Sequence, residues 1–217
     1  AGGGRGRAER ELHHRERYAI PMPRTDARRP ARDRLLDAAE ALFVEHGIAA
    51  TGVDAVLRRA EVSPATLYAH FAGKDHLVAA DLERRDERWR ASGDASLDRC
   101  GDDADARALA VFDALDGFPT ATSTRGCAFL AAAVEVTDPE HPAYQWLAAD
   151  TRLLVDRLRD LAAATGAADP DALAAELLAL YDGALASRTR RAVAGDDGPT
   201  PLPWRDLAAG AVARHRA

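Results

Sequence analysis

TGVDAVLRRAEVSPATLYAHFAGKDHL, residues 51–77, is the stretch that decides how this chain folds. It reads as a short helix from about Val53 to Ala60, a tight turn, and a second short helix from Pro64 to Phe71. Ser63 can cap that second helix, because its hydroxyl can accept an orphan backbone N–H. Pro64 follows at the first helical position, where a missing N–H costs nothing. Leu67 and Phe71 sit four apart on one face. Ala65, Thr66, Tyr68, Ala69 and His70 occupy the remaining surface. A helix this short is not stable alone, so Val53, Val56, Leu57 and Val62 must brace it. Small and polar side chains on a braced short helix suit insertion into a DNA major groove.

Working outward, a first helix is expected from about Pro30, stopping at Gly47, a good C-terminal cap residue. Leu35, Ala38, Ala39, Leu42 and Phe43 make its apolar stripe. A long fourth helix begins near Lys74 and extends toward Leu97, with Leu77, Val78, Leu82 and Trp89 linking it to the second half of the chain. Gly93 to Asp105 is polar and acidic and reads as a break between domains. Four or five more helices are expected: Ala104 to Phe118, Cys127 to Val136, Pro142 to Ala164, one starting at Asp169 or Pro170, and Trp204 to His215. The Cys127 to Val136 run is almost wholly apolar and is expected to be buried on all sides. No strand pattern or internal repeat is present. The expected fold is all-α, with a disordered basic arm over 1–28, a three-helix helix-turn-helix DNA-binding domain over 29–80, and a helical domain over 81–217.

Composition agrees with helices packed through small side chains: 47% of the 217 residues are hydrophobic but only 6% aromatic. No run of 18 apolar residues offers a membrane span, and the Gly/Arg-rich N-terminus lacks the apolar core of a secretory signal. Residues 1–21, ahead of the only methionine, Met22, read either as an extension from an upstream start or as a native tail. Two cysteines, Cys100 and Cys127, make neither a disulfide framework nor a zinc site; a reducing cytoplasm is the simple expectation. The net charge of −6 does not advertise a nucleic-acid binder. Its distribution says more. Residues 1–34 carry ten arginines against five acids, whereas residues 35–79 carry three basic groups against six acids. Phosphate neutralisation drives DNA affinity, so either a few well-placed cations and backbone N–H groups suffice or the arginine-rich arm contributes.

From Ala31 to Leu82 the chain resembles the DNA-binding domain of the tetracycline-repressor (TetR) family of bacterial transcription regulators. The resemblance rests on LLDAAEALFVEHG (35–47), the V-S-x-x-T-L-Y-x-H-F run (Val62 to Phe71) and the G-K-D-x-L run (Gly73 to Leu77), in order and at the family's spacing. It implies that Pro64, Ala65, Thr66 and Ala69 face the groove, the small apolar groups against thymine methyls. It also implies that Tyr68 and His70 hold phosphates, which fixes register without reading sequence. Lys74 would bring an ammonium and a helix N-terminus to the same backbone, and Thr51 would do likewise from helix two. Arg58 and Arg59 read equally as phosphate contacts or as a solvated face. Two residues depart from the pattern. Glu61 stands where the family usually has glycine in the turn, and left-handed backbone costs a non-glycine residue about 1 kcal/mol. Leu57 replaces a residue that is often small.

The R-G-C-x-F-L-A-A-A-x-E run (Arg125 to Glu135) followed by D-P-x-H-P (Asp138 to Pro142) resembles the ligand-binding half of one TetR subgroup. The family resemblance implies a double-stranded DNA operator, a homodimer and a small-molecule effector, with repression the usual outcome. The helices over 170–193 and 204–216 would pair across the two-fold axis. The stripe Leu173, Leu177, Leu180, Tyr181 and Ala184 reads either as that interface or as core of its own subunit. Trp89, Phe112, Phe118, Phe129, Tyr144 and Trp146 are candidate pocket-lining residues, each with ordinary core as its alternative. Cys127 is a weaker candidate for redox sensing. No metal spacing, nucleophile elbow, phosphate loop or dinucleotide fingerprint points to an enzyme, and no cofactor is implied. A second functional class is a helical protein-interaction module that has lost specific DNA binding, for which Glu61 and the acidic balance are the arguments.

Overall fold

The computed structural model describes residues 29–117, 127–198 and 200–216. The expected arm over 1–28 and the candidate Phe118 lie outside the described residues. Among these the chain forms nine α-helices and no strand. They are α1 (Ala31–His46), α2 (Val53–Ala60), α3 (Pro64–His70), α4 (Lys74–Arg99), α5 (Ala104–Gly117), α6 (Ala128–Glu135), α7 (Tyr144–Ala164), α8 (Pro170–Ala194) and α9 (Trp204–His215). A 3₁₀ turn, Gly195–Asp197, follows α8.

Local chemistry sets the ends. Gly47 closes α1 at φ 89°, its N–H bonding to the Phe43 carbonyl at 2.9 Å. Asp169 caps α8 by accepting the Ala172 N–H at 3.0 Å, with Pro170 at the first position. Both are the terminal devices expected of these residue types.

Helices α1 to α3 and the first half of α4 form a reading head around Leu35, Leu36, Val56, Leu67, Phe71, Leu77 and Val78, all buried. Helices α5, α7, α8 and α9 enclose a second core built on Leu109, Phe112, Leu158, Leu173, Leu177, Tyr181 and Val212. The head's core does not stop at α4. Phe129, Ala132 and Val136 from the α6 segment and Leu147 from α7 belong to it, and Cys127 packs against both cores.

Two expectations need correction, and of the two readings open for the α8 stripe the own-core one is met. The break at Gly93 is absent: α4 runs 26 residues without interruption, to Arg99. Gly93 is small there for a different reason. Arg157 of α7 crosses over it to reach Asp94 at 2.8 Å, and a Cβ on residue 93 would lie 2.9 Å from the Arg157 guanidinium. The apolar α6 is not buried on all sides; Phe129 and Ala132 face inward while Leu130 and Val134 are exposed, Val134 by 80%. In α8, Leu173, Leu177, Tyr181 and Ala184 fill their own subunit's core, which leaves Ala172, Ala175, Ala179, Ala186 and Val193 as the outward stripe.

A charged seam joins α1 to α4. Arg84 bonds Asp37 and Glu40, both at 2.7 Å, and Arg88 bonds Glu40 at 2.8 Å. Burial pushes the Glu40 carboxyl up, but the guanidinium groups of Arg85, Arg88 and Arg84 outweigh it and hold the pKa below the ordinary value. Arg85 bonds Asp81 at 2.9 Å and the Glu40 carbonyl at 3.3 Å. Asp81 is 2% exposed, and there burial outweighs Arg85 and raises its pKa. Glu135 at the end of α6 accepts the Ala49 N–H at 2.6 Å, pinning the α1–α2 loop to the body. The D-P-x-H-P run has a docking role too: His141 accepts the Ala143 N–H and lies 3.4 Å from Asp75 of α4.

Candidate nucleic-acid interface

Helix α3 is set by its first residues. The Ser63 hydroxyl accepts the Thr66 N–H at 3.2 Å and lies 2.9 Å from the Thr66 hydroxyl. Pro64 occupies the first position. Leu67 is fully buried and Phe71 is 5% exposed, so two side chains anchor the helix to the head. Pro64, Ala65, Tyr68, Ala69 and His70 are exposed, Tyr68 by 60%, and Thr66 is half-buried. A tyrosine this exposed beside a fully buried leucine displays its phenol to solvent rather than filling core. Lys74 opens α4 with its ammonium 3.5 Å from the Ala49 carbonyl. Arg58 is exposed, Arg59 lies 3.7 Å from Glu45, and Arg32 stands over the Phe71 ring at 5.6 Å.

Glu61 adopts the left-handed conformation that its place in the turn demands, at φ 54° and ψ 48°. What holds it there escaped sequence reasoning. Arg34 on α1 donates to the Ala60 carbonyl at 2.9 Å and the Glu61 carbonyl at 3.2 Å, tying the turn from behind. An arginine 27 residues away carries no local signature of that role. Leu57, the larger residue, is accommodated at 8% exposure.

Thr51 is a correction. Its side chain is 2% exposed, and its hydroxyl bonds the Gly47 carbonyl at 2.6 Å and lies 3.3 Å from that of Leu42. The hydroxyl is spent on closing the α1–α2 loop.

Of the pocket candidates, Trp89 and Phe129 line a cavity of about 160 Å³ bounded by α4, α5, α6, α7 and α8, with Asp150, Leu154, Tyr181 and Asp182. Phe112 lies in the second core at 2% exposure, Trp146 packs against the head's core, and Tyr144 is exposed. These three do not line that cavity. Cys127 does, but burial pushes its thiol pKa up. A thiol held protonated is a poor redox centre.

Residues 35–80 match the family of bacterial regulatory proteins, tetR family. The structure superposes on SCO4454, a TetR-family transcriptional regulator from Streptomyces coelicolor, with a TM-score of 0.74 and 32% identity, covering 86% of this chain and 96% of that one. The chain belongs to the TetR family of DNA-binding transcriptional regulators. A regulator from Streptomyces avermitilis gives a TM-score of 0.64 at 31% identity, over 85% of this chain and 99% of that one. The curated relatives match over short stretches only. UidR of Escherichia coli is 37% identical over 59 residues, and the repressor KstR of Mycolicibacterium smegmatis 40% over 70. These stretches span 27% and 32% of this chain, and only 30% and 34% of the two relatives. The TetR family is a class of regulators, not of enzymes. Among the described residues no helix is long and apolar enough to cross a membrane, and no group of three His, Cys, Asp or Glu is placed to hold a metal ion.

Proposed function

We propose that this TetR-family chain is a homodimeric cytoplasmic repressor that leaves a palindromic operator when a small molecule enters the body. The observation that carries the reading is the Ser63-capped α3, anchored by Leu67 and Phe71 and displaying Pro64, Ala65, Thr66, Tyr68, Ala69 and His70. Thr66, Ala65 and Ala69 would meet base edges, and Tyr68, His70 and Lys74 the phosphates. Two such heads must reach successive major grooves about 34–36 Å apart. The outward stripe of α8, Ala172, Ala175, Ala179, Ala186 and Val193, is small and flat enough for a self-complementary two-fold contact. Residues 29–80 would act as the reader and 81–217 as the sensor and dimeriser.

The cavity beside Trp89 supplies the place for an effector. Arg85 lines it while bonding Asp81 and the Glu40 carbonyl, and Phe129 lines it while belonging to the head's core. An occupant that shifts either residue alters the head's stance. By linkage, DNA and effector then weaken each other's binding by the same factor.

Selection of duplexes from random DNA tests the reading. A palindromic, salt-sensitive site is the expected outcome; no enrichment would overturn it. On the selected site, Lys74→Ala should weaken binding to all sequences and lower the salt slope by about 1. Thr66→Ala should instead change preference at particular base pairs.

A further inference from the structure

The cavity wall carries an imbalance of charge. Asp150 of α7 and Asp182 of α8 line it, and neither has a hydrogen bond or ion pair among the described residues. The cation in the same wall, Arg85, is already bonded to Asp81 and to the Glu40 carbonyl. Behind Asp150, Asp86 is 3% exposed; one of its oxygens bonds Arg90 at 2.6 Å and the other has no hydrogen-bond partner. The same wall carries two aromatic rings, Trp89 and Tyr181, with centroids 6.1 Å apart and planes tilted by 45°. Most of the remaining lining is aliphatic, Leu154, Leu178 and Leu185 among it. Asp182 is solvent-exposed, whereas Asp150 is half-buried with Arg90 as the cation acting on it, so an arriving opposite charge relieves a burial cost chiefly at Asp150. Aromatic faces attract cations as well.

We propose that this cavity takes an organic cation with an aromatic or aliphatic body, its positive charge seated between Asp150 and Asp182 and its body against Trp89, Tyr181 and Phe129. The inference deepens the effector reading above and rests on it only for the consequence at DNA, not for the binding itself. An anionic ligand would meet two carboxylates and a guanidinium already engaged. A neutral one would bring no counter-charge to either carboxylate.

The groups facing Asp150 give the pH response. Burial first, then the charge of Asp86, push its carboxyl up to about 6, with Arg90 opposing. Cys127 beside α6 and Tyr181 and Asp182 on α8 complete its surroundings, and both the thiol and the phenol are held protonated by burial. A cation needs the ionised carboxylate, so its affinity should rise as pH passes upward through 6, by up to about tenfold between pH 5 and 7.

The test uses the full chain and three probes of one size: benzyltrimethylammonium, its neutral isostere neopentylbenzene, and benzenesulfonate, titrated by calorimetry. The cation should bind at least tenfold more tightly than the neutral isostere, with the anion weakest. In the Asp150→Asn, Asp182→Asn double variant that preference should fall to near unity while neopentylbenzene binds as before, which also shows that the fold is intact. Equal binding of cation and isostere, tighter binding of the anion, a preference that survives in the double variant, or binding of none of the three would overturn the proposal. The selected operator duplex, followed in parallel, separates the two readings. A cation bound with this preference that leaves DNA in place breaks the release mechanism and keeps the ligand class. A neutral or anionic compound that binds in the cavity and frees DNA does the reverse.

Discussion

In the head, Leu67 is fully buried and its neighbour Tyr68 is 60% exposed. In the sensing half, Tyr181 is 7% exposed, fills core and also forms cavity wall. The same residue type serves opposite ends because the two regions are assembled differently. A seven-residue helix with one buried face must show the rest of itself to solvent, so its display is set by local spacing. The cavity is drawn from five helices spread over about a hundred residues, and no local pattern marks its lining.

That contrast can be broken at its strongest point by Leu67→Ala. The change should lower the unfolding free energy by about 3 kcal/mol, and because the head's core continues into α6 and α7, denaturation should remain a single transition by both fluorescence and circular dichroism. Two separate transitions would show that head and body are independent units.

Arg84→Ala probes the seam between α1 and α4 and should cost about 1–2 kcal/mol. Glu40 has a folded pKa below its ordinary 4.5. Its contribution is therefore present above pH 4.5 and is lost as pH falls through the lower folded value. The gap between wild type and variant, measured by urea denaturation, should narrow below pH 4.5.

Asp150→Asn works in the opposite sense. Its carboxyl titrates near 6 when folded against 3.8 as the reference. Between those values the folded state binds more protons, so stability falls as pH rises. The variant should be more stable than wild type at pH 7 by about 1 kcal/mol, after discounting for partial solvent screening, and equal to it near pH 3.5. A destabilised variant at pH 7 would mean that the charge is already compensated.

The smallest effect is expected from Glu61→Gly. Relief of the left-handed backbone, offset by the extra freedom of glycine when unfolded, should leave a gain of about 0.5 kcal/mol, with operator affinity unchanged. A loss would show that the glutamate side chain itself supports the turn.

Much of the head is legible in the sequence. Ser63 and Pro64 mark the start of α3, Gly47 the end of α1, and Glu61 the position of forced left-handed backbone. Arg34 and Thr51 are not legible, because their partners are carbonyls brought close only by the fold. In the body, helix positions are visible but facing is not. Gly93 looks like a breaker because glycine usually is one; here it clears the path of Arg157. The almost wholly apolar α6 suggests burial, yet a helix lying on the surface of a core has only one side to cover. Trp89 and Phe129 stand out as wall residues because aromatics are few, while Asp150 and Asp182 are two acids among many.

Phe129 sits in the core beneath the reading helices and in the cavity wall at once. Replacements along α7 and α8 can therefore alter which molecules are admitted while the head folds as before. Any replacement at Phe129 must first satisfy the core it shares with the head. In a randomised library of wall residues, the survivors should be diverse at 150, 154 and 182 and nearly uniform at 129, so the taste of the sensor can drift while its connection to the gene switch stays inherited intact.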